Sequence, residues 1–330
     1  MPRQLLVCAA IAASLSISPF CAHAVTRNNE ALALQVSLDR AGFSPGVIDG
    51  TLGRLTRDAV KSYQEANGIA VTGDVDAETK SALGDLSAPT ESVEVTDAGP
   101  FQASIPKDAG EQAKLAKLGY TSIEEALAER YHTTPAMLRS LNPGDHFAPG
   151  DHITVPAVAV RGAGAGASDT SAETGASEWE ATLDKLNVAK SQSLAAQVVV
   201  DKSDRTVRVL DAAGKVLASF PATIGSDHDP LPLGTWKIRG VAKLPSFHYN
   251  PELFWDAKAK DDKATLPSGP NSPVGVVWID LSKEHYGIHG TPEPAMIGRT
   301  TSHGCIRLTN WDAAKLAQMV HPGVPAILQD

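Results

Sequence analysis

Cys305 lies in Thr301-Ser302-His303-Gly304-Cys305-Ile306-Arg307-Leu308, two residues after His303 and sixteen after His289, which stands in Tyr286-Gly287-Ile288-His289-Gly290-Thr291. A free thiol is only a few per cent thiolate near neutral pH, so a cysteine nucleophile needs an imidazole or oriented N–H groups beside it. His289 and His303 are the two candidates for that imidazole. In an extended segment His303 and Cys305 point to the same side, while His289 ends a strand that can run alongside. Gly304 allows a sharp turn, and the N–H groups of Gly304 and Cys305 can stabilise a tetrahedral oxyanion next to the sulfur. The chemistry this permits is attack of a thiolate on a carbonyl.

Other readings of the same residues are weaker. His285, His289, His303 and Cys305 could hold zinc, but closed structural zinc sites usually employ paired cysteines. A lone cysteine and histidine can also be inert core residues. A papain-like peptidase carries its histidine after the nucleophile, and only His321 follows Cys305. Ser104-Ile105-Pro106-Lys107 has the spacing of a serine transferase motif, but its proline breaks the helix that such a motif needs.

The compartment decides what a lone thiol means. Residues 1–24 combine Arg3, an apolar run over 5–17 and Ala22-His23-Ala24, the pattern of a Sec signal peptide. The run is too short and too interrupted by Pro19 for a membrane span, which needs about 20 apolar residues. Cleavage after Ala24 removes Cys8 and Cys21 and leaves Cys305 as the only cysteine of an exported protein, expected in the periplasm or cell envelope. The whole chain of 330 residues carries 29 Lys and Arg against 38 Asp and Glu, a net charge of −9, and no basic run. Such a field repels nucleic acid.

Three folded segments must position the thiol. Residues 28–86 contain two similar loop-to-helix units, Asp49-Gly50-Thr51-Leu52 before Thr56 and Thr72-Gly73-Asp74-Val75 before Thr79. They predict three helices, one ending at Gly42, one capped by Thr56, one starting near Asp76, with Leu34, Leu38, Val60, Tyr63 and Leu83 inward. Residues 87–109 read as a linker rich in Ser, Pro, Thr and acidic side chains. Within 110–157, Ser122 and Thr134 can each cap a helix, and Ile153-Thr154-Val155 closes the unit as a strand. Residues 158–195 are expected as a flexible tether. From 196 to 330, short β-branched runs at 197–201, 206–210, 216–220, 235–241, 274–281 and 286–289 argue for a mainly β sandwich or barrel with one helix at 311–320. The expected fold class is therefore multidomain α+β, with catalysis on loops between strands.

Asp49-Gly50 with Leu52-Gly53, Val60, Tyr63-Gln64, Gly68-Ile69 and Thr72-Gly73 resemble the peptidoglycan-binding domain 1 family. Ala128-Glu129-Arg130-Tyr131, Leu141-Asn142-Pro143 and the closing Ile-x-Val-Pro are similar to a LysM module, although that family's first strand is poorly matched. Ile288-His289-Gly290-Thr291 followed by Ser302-His303-Gly304-Cys305-Ile306-Arg307, with Pro232-Leu233-Gly234-Thr235 upstream, resembles the YkuD-type L,D-transpeptidase catalytic domain.

That resemblance implies Cys305 as nucleophile and His289 as general base and acid, with Ser302, His303 and Gly304 in supporting positions. Arg307, where many members carry Asn, is as readily a structural ion pair as a substrate contact, and Tyr286 and Gly290 flank the same site. It implies attack on the bond between diaminopimelate at position 3 and D-Ala at position 4 of a peptidoglycan stem tetrapeptide. D-Ala leaves, and the thioester passes to a stem amine, giving a 3→3 cross-link, or to an envelope lipoprotein lysine. Water as acceptor would make a carboxypeptidase, and an inactive domain would leave a murein-binding protein. No nucleotide, metal or other cofactor is required. The two N-terminal modules are expected to act by tethering the active site to its polymer.

Overall fold

The computed structural model describes residues 19–84, 86–96, 99–144, 146–158, 178–257 and 262–330, with side chains from Asn29 onward. The expected leader at 1–24, apart from the backbone of its last six residues, and the stretch at 159–177 lie outside the described residues.

The first unit consists of α1 (Pro19–Ala41), α2 (Arg54–Ala66) and α3 (Ala77–Leu83). Leu34, Leu38, Val60 and Tyr63 meet in its core, with Leu83 packed against them. The N-cap of α2 is Gly53, three residues before the expected Thr56. Thr56 is turned inward instead, and its hydroxyl donates to the Thr51 carbonyl at 3.2 Å. The similarity of the two loops has a physical cause absent from the motif itself. Buried Gln35 accepts from the N–H groups of Asp49 (3.1 Å) and Gly50 (2.8 Å). Buried Gln64 likewise accepts from Thr72 and Gly73, both at 2.9 Å, and its amide donates to the Asp74 carbonyl and the Thr79 hydroxyl. Each glutamine clamps one loop. Gln64→Ala strands two N–H groups and opens a cavity, so a loss of about 2–4 kcal/mol is expected in urea unfolding.

The second unit is larger than expected. Strand β1 (Thr90–Glu94) pairs antiparallel with β2 (His152–Pro156) over five residues, from Thr90 opposite Pro156 to Glu94 opposite His152. Residues 87–109 are thus not a bare linker. Val93 and Val95 alternate with polar neighbours and join Leu127, Tyr131, Leu138, Ile153 and Val155 in one core. Between the strands come α4 (Ala109–Gln112), α5 (Ile123–Arg130) and α6 (Pro135–Leu141). Ser122 and Thr134 cap α5 and α6 as expected, accepting from the Glu125 and Met137 N–H groups.

The C-terminal end of the expected tether at 158–195 is structured as well. Helix α7 (Glu178–Lys185) buries Trp179 and Leu183, spaced one helical turn apart, in the core of the third unit together with Leu186 and Val188.

That third unit holds β3 (Gln197–Asp201), β4 (Thr206–Leu210), β5 (Val216–Pro221), β6 (Thr223–Ile224), β7 (Gly234–Lys243), β8 (Phe247–Tyr249), β9 (Ala264–Leu266), β10 (Val277–Leu281), β11 (Gly287–His289), β12 (Ile306–Arg307) and β13 (Pro325–Gln329), with α8 (Asn310–Met319). Apart from the β8–β9 hairpin, they form one sheet in the order β5-β4-β3-β13-β7-β10-β11-β12-β6. The long strand β7 pairs with β13 through its first half and with β10 through its second, so it belongs to both halves of the sheet. The two ends of that order, β5 and β6, are consecutive in the chain with only Ala222 between them. The sheet therefore nearly closes on itself around Val198, Val207, Phe220, Ile279, Ile288, Ile306 and Trp311.

The first two units pack against this unit and against each other. Ser44 and Ser219 share backbone hydrogen bonds, Ser44 N–H to Ser219 O at 2.8 Å and Ser219 N–H to Gly42 O at 3.1 Å. Ile48 N–H donates to His132 O at 2.8 Å, and Leu118 N–H to Ser268 O at 2.9 Å. These backbone bonds join the units among the described residues.

Where the three units meet, His132 is buried with Nδ1 3.0 Å from Asp39 and Nε2 2.8 Å from the Leu186 carbonyl, its ring stacked on Trp311. Burial would raise the Asp39 carboxyl, but His132 beside it holds it below the usual range, while the His132 imidazole is raised. Burial pushes Glu129 and Asp312 each up to about 7. Their unfolded carboxyls lose the proton near pH 4, so between about pH 4 and 7 the folded state binds more protons and stability falls as pH rises. His132 acts in the same direction, because its raised basicity stabilises the fold below its folded pKa. Asp39 opposes this only under strongly acid conditions, and buried His289, lowered to about 4, opposes it up to about pH 6.5 with a smaller effect than the two carboxyls together. The thermal midpoint is expected to be higher at pH 5 than at pH 8, and Asp312→Asn to flatten that slope in calorimetry.

Candidate active site

Strands β11 and β12 are parallel neighbours, with Ile288 opposite Ile306 and His289 opposite Arg307. Parallel pairing needs a long crossover connection, and this is why sixteen positions separate His289 from Cys305. Ile288 and Ile306 face the core. By strand alternation His289 and Arg307 face the opposite side, and Cys305 lies in the turn that leads into β12, two residues before Arg307.

His289 is buried, 4% exposed, with Trp278 of β10 stacked on its ring at 5.4 Å. Its Nδ1 lies 2.7 Å from the Gly290 carbonyl oxygen. A carbonyl can only accept, so Nδ1 carries the proton and Nε2 is left as the basic nitrogen. Burial lowers the imidazole to about 4; the Gly290 carbonyl favours its charged form, and Arg307 opposes it. His289 is thus a neutral base throughout the neutral range.

Cys305 is a free, half-buried thiol whose Sγ lies 3.7 Å from the His285 carbonyl oxygen. Burial pushes it up, against the Gly287 backbone and the Arg307 guanidinium, which favour the thiolate. Ser302 donates its hydroxyl to the Cys305 carbonyl at 2.5 Å, tying the turn before the nucleophile. Gly304 sits in that turn at φ +98°, and a Cβ there would lie 2.8 Å from the Tyr286 ring, so the position takes glycine for two reasons. The Gly304 N–H has no hydrogen-bond partner among the described residues.

The same turn separates His303 from Cys305. Because residues 303–305 are not extended, the alternation expected to align their side chains does not operate. His303 instead places Nε2 2.9 Å from Asp256 and packs against the rings of Phe254 and Trp255. Arg307 differs from the structural ion pair weighed above: among the described residues it forms no salt bridge. Burial lowers its basicity, and Cys305, Glu293 and Asp256 supply the negative field around it.

The connection from 290 to 305 is anchored from outside. The Gly298 carbonyl accepts from Arg205 at 3.1 Å and from Arg54 of the first unit at 3.0 Å, and its N–H donates to Thr223. Trp278, Asp256 and Arg54 were not anticipated from the sequence. Trp278 alone carried a signal, as an aromatic residue between core-facing Val277 and Ile279, and therefore on the other face of its strand.

Residues 195–328 match the YkuD family model, "L,D-transpeptidase catalytic domain", and residues 27–83 match a second model, "Putative peptidoglycan binding domain". A Bacillus licheniformis protein, "Putative L,D-transpeptidase YkuD", is 52% identical over 127 residues, 38% of this chain and 61% of its own length. The Bacillus subtilis protein of the same name is 54% identical over 54 residues, 16% of this chain and 33% of its own. The chain thus spans less than two thirds of either relative. Among solved structures, "L,D-transpeptidase from Mycobacterium smegmatis" aligns at 26% identity and a TM-score of 0.33, over 41% of this chain and 58% of that one.

Proposed function

We propose that this protein is an exported peptidoglycan L,D-transpeptidase, a cysteine acyltransferase that works in the cell envelope. The observation that carries the proposal is the pairing of β11 with β12. It sets a neutral, Nδ1-protonated His289 opposite Arg307, which has no salt bridge among the described residues and follows Cys305 by two positions, and this supports the reading of His289 and Cys305 as partners. The match of residues 195–328 to the L,D-transpeptidase model supports the reaction class, and the match of 27–83 supports peptidoglycan as the polymer.

In this reading His289 Nε2 takes the proton from Cys305 as Sγ attacks the carbonyl between diaminopimelate and D-Ala of a stem tetrapeptide. The Gly304 N–H, without a partner among the described residues, is available to the oxyanion that forms. The C–N bond breaks, His289 returns the proton to the departing D-Ala amine, and the acyl group remains on sulfur as a thioester. An acceptor amine then attacks the thioester, losing its proton to His289, and Cys305 is regenerated. A side-chain amine of a second stem gives a 3→3 cross-link, and a lysine of an envelope lipoprotein gives protein attachment. Arg307 is suited to a substrate carboxylate, because desolvated guanidinium pairs carboxylates in two parallel hydrogen bonds. The pairing of β1 with β2 across the helix pair α5–α6, with the short α4 ahead of that pair, supports a LysM-like module in the second unit, and the first unit supports a second contact to murein.

The test is incubation of the purified protein with a disaccharide tetrapeptide, following protein and muropeptide masses. Release of D-Ala with an acyl adduct on Cys305 supports the reading, and the ratio of dimer to tripeptide separates transpeptidase from carboxypeptidase. Folded protein that binds murein yet gives neither product nor adduct would return it to a binding protein.

A further inference from the structure

Asn310, at the start of α8, is fully buried. Its Oδ1 accepts from the Val276 N–H at 3.2 Å, and its Nδ2 donates to the Pro270 carbonyl at 3.1 Å. The side-chain oxygen lies so close to the backbone after His289 that a Cβ on Gly290 would come within 2.1 Å of it, and one on Gly275 within 1.9 Å. Asn310 therefore forms the back wall of the Gly290 peptide, whose carbonyl sets the tautomer of His289.

The remaining bond of this amide leaves the catalytic unit. Asn310 Nδ2 donates at 2.7 Å to Glu129 Oε1, on α5 of the second unit and 181 positions away in the chain. Glu129 is itself buried, and its other oxygen accepts from the Tyr120 hydroxyl at 2.5 Å. The same unit grips the neighbouring loop. Asn271 N–H donates to Leu118 O at 3.0 Å, and the Asn271 amide to Gly119 O at 2.9 Å and Glu125 Oε1 at 2.7 Å. A glutamate side chain is an uncommon occupant of a protein interior, and here one oxygen is held by Tyr120 while the other takes the Asn310 amide beside the Gly290 backbone.

We propose that Glu129 is a positioning residue for the reaction at Cys305, holding the Asn310 amide so that the Gly290 carbonyl stays aligned with His289 Nδ1. The second unit then contributes to turnover itself, apart from any affinity for the wall. The inference rests on the roles given above to Cys305 and His289. Without Glu129, Asn310 loses a buried acceptor and can rotate toward another, releasing the Gly290 peptide. His289 then samples the tautomer with its proton on Nε2, which cannot accept from the thiol.

The experiment compares full-length wild type, Glu129→Ala, Glu129→Gln and Tyr120→Phe. Each is measured for kcat and KM on tetrapeptide, thermal midpoint, murein binding and the nuclear magnetic resonance signal of the His289 Nδ1 proton. Glu129→Ala is expected to lower kcat about 10- to 100-fold with KM and murein binding within about twofold, and to lose the protected Nδ1 proton signal. Glu129→Gln, which keeps an acceptor for Asn310, should restore kcat to within about threefold and recover the signal. Tyr120→Phe loosens Glu129 without touching Asn310 and should weaken kcat and broaden the signal while the protein stays folded. An unchanged kcat and Nδ1 signal in folded Glu129→Ala overturns the proposal. If that variant does not fold, the same unchanged values in Tyr120→Phe overturn it. A wild type with no turnover refutes the function proposed above, and the resonance alone then decides whether Glu129 orders His289.

Discussion

Cys305→Ala is expected to abolish D-Ala release, by at least about a thousandfold, while the protein remains folded and bound to murein. The thiol forms and breaks the only covalent bond to substrate in the proposed cycle, so no neighbouring group can substitute for it. Its loss should scarcely affect stability. Cys305 is half-buried, its weak contact at 3.7 Å to the His285 carbonyl is replaceable by water, and the Ser302 bond in the adjoining turn goes to backbone. Mass spectrometry of muropeptides beside a murein pull-down separates these two effects. Retained turnover in the alanine variant would place the nucleophile elsewhere.

His289→Ala carries the second large effect, a loss of about 10²- to 10⁴-fold in kcat, the range for removing a positioned general base. The accompanying pH dependence distinguishes two kinds of cysteine site. His289 is lowered to about 4 by burial and by Arg307, against the Gly290 carbonyl, whereas the Cys305 thiol is pushed up by burial. The lower value belongs to the imidazole, so at pH 5 to 8 both partners rest in their neutral forms and the proton moves only during attack. Alkylation of Cys305 by iodoacetamide should accordingly accelerate about tenfold per pH unit through that range, following the thiolate fraction. The acid limb of turnover should fall near pH 4, where His289 becomes charged. A rate of alkylation already level at pH 5 would instead reveal a preformed imidazolium–thiolate pair.

The parts of the fold that were legible from sequence are those whose signal is local. The β-branched runs at 197–201 and 206–210 became β3 and β4 in the stated places, and capping at Ser122 and Thr134 held to the residue. Strands β6 and β12 escaped because two residues cannot display a period, and each exists only through the neighbour that pairs with it. Strand β1 was obscured by the polar composition around Val93 and Val95, whose partner strand lies beyond three intervening helices. The site divides in the same way. Cys305, His289 and Gly304 stood out as candidates because a short motif carries their types and spacing. His303 was misplaced because a left-handed glycine interrupts the strand geometry assumed for it. Gln35, Gln64, Glu129 and Asn310 are polar residues on helices, which a sequence presents as candidates for solvent, and only the packing of remote segments makes them buried clamps.

The near-closure of the sheet has a consequence for any shortened form of this protein. Edge strand β5 does not face solvent along its whole length, because residues 42–44 of the first unit run beside it and exchange backbone hydrogen bonds with Ser219. That short segment is a guard against self-association: it occupies N–H and C=O groups that would otherwise template another chain. A fragment beginning at the third unit would keep Cys305 and His289 yet present a bare strand margin. Such a fragment would recruit its own copies through that margin, so the first unit also keeps the third one solitary.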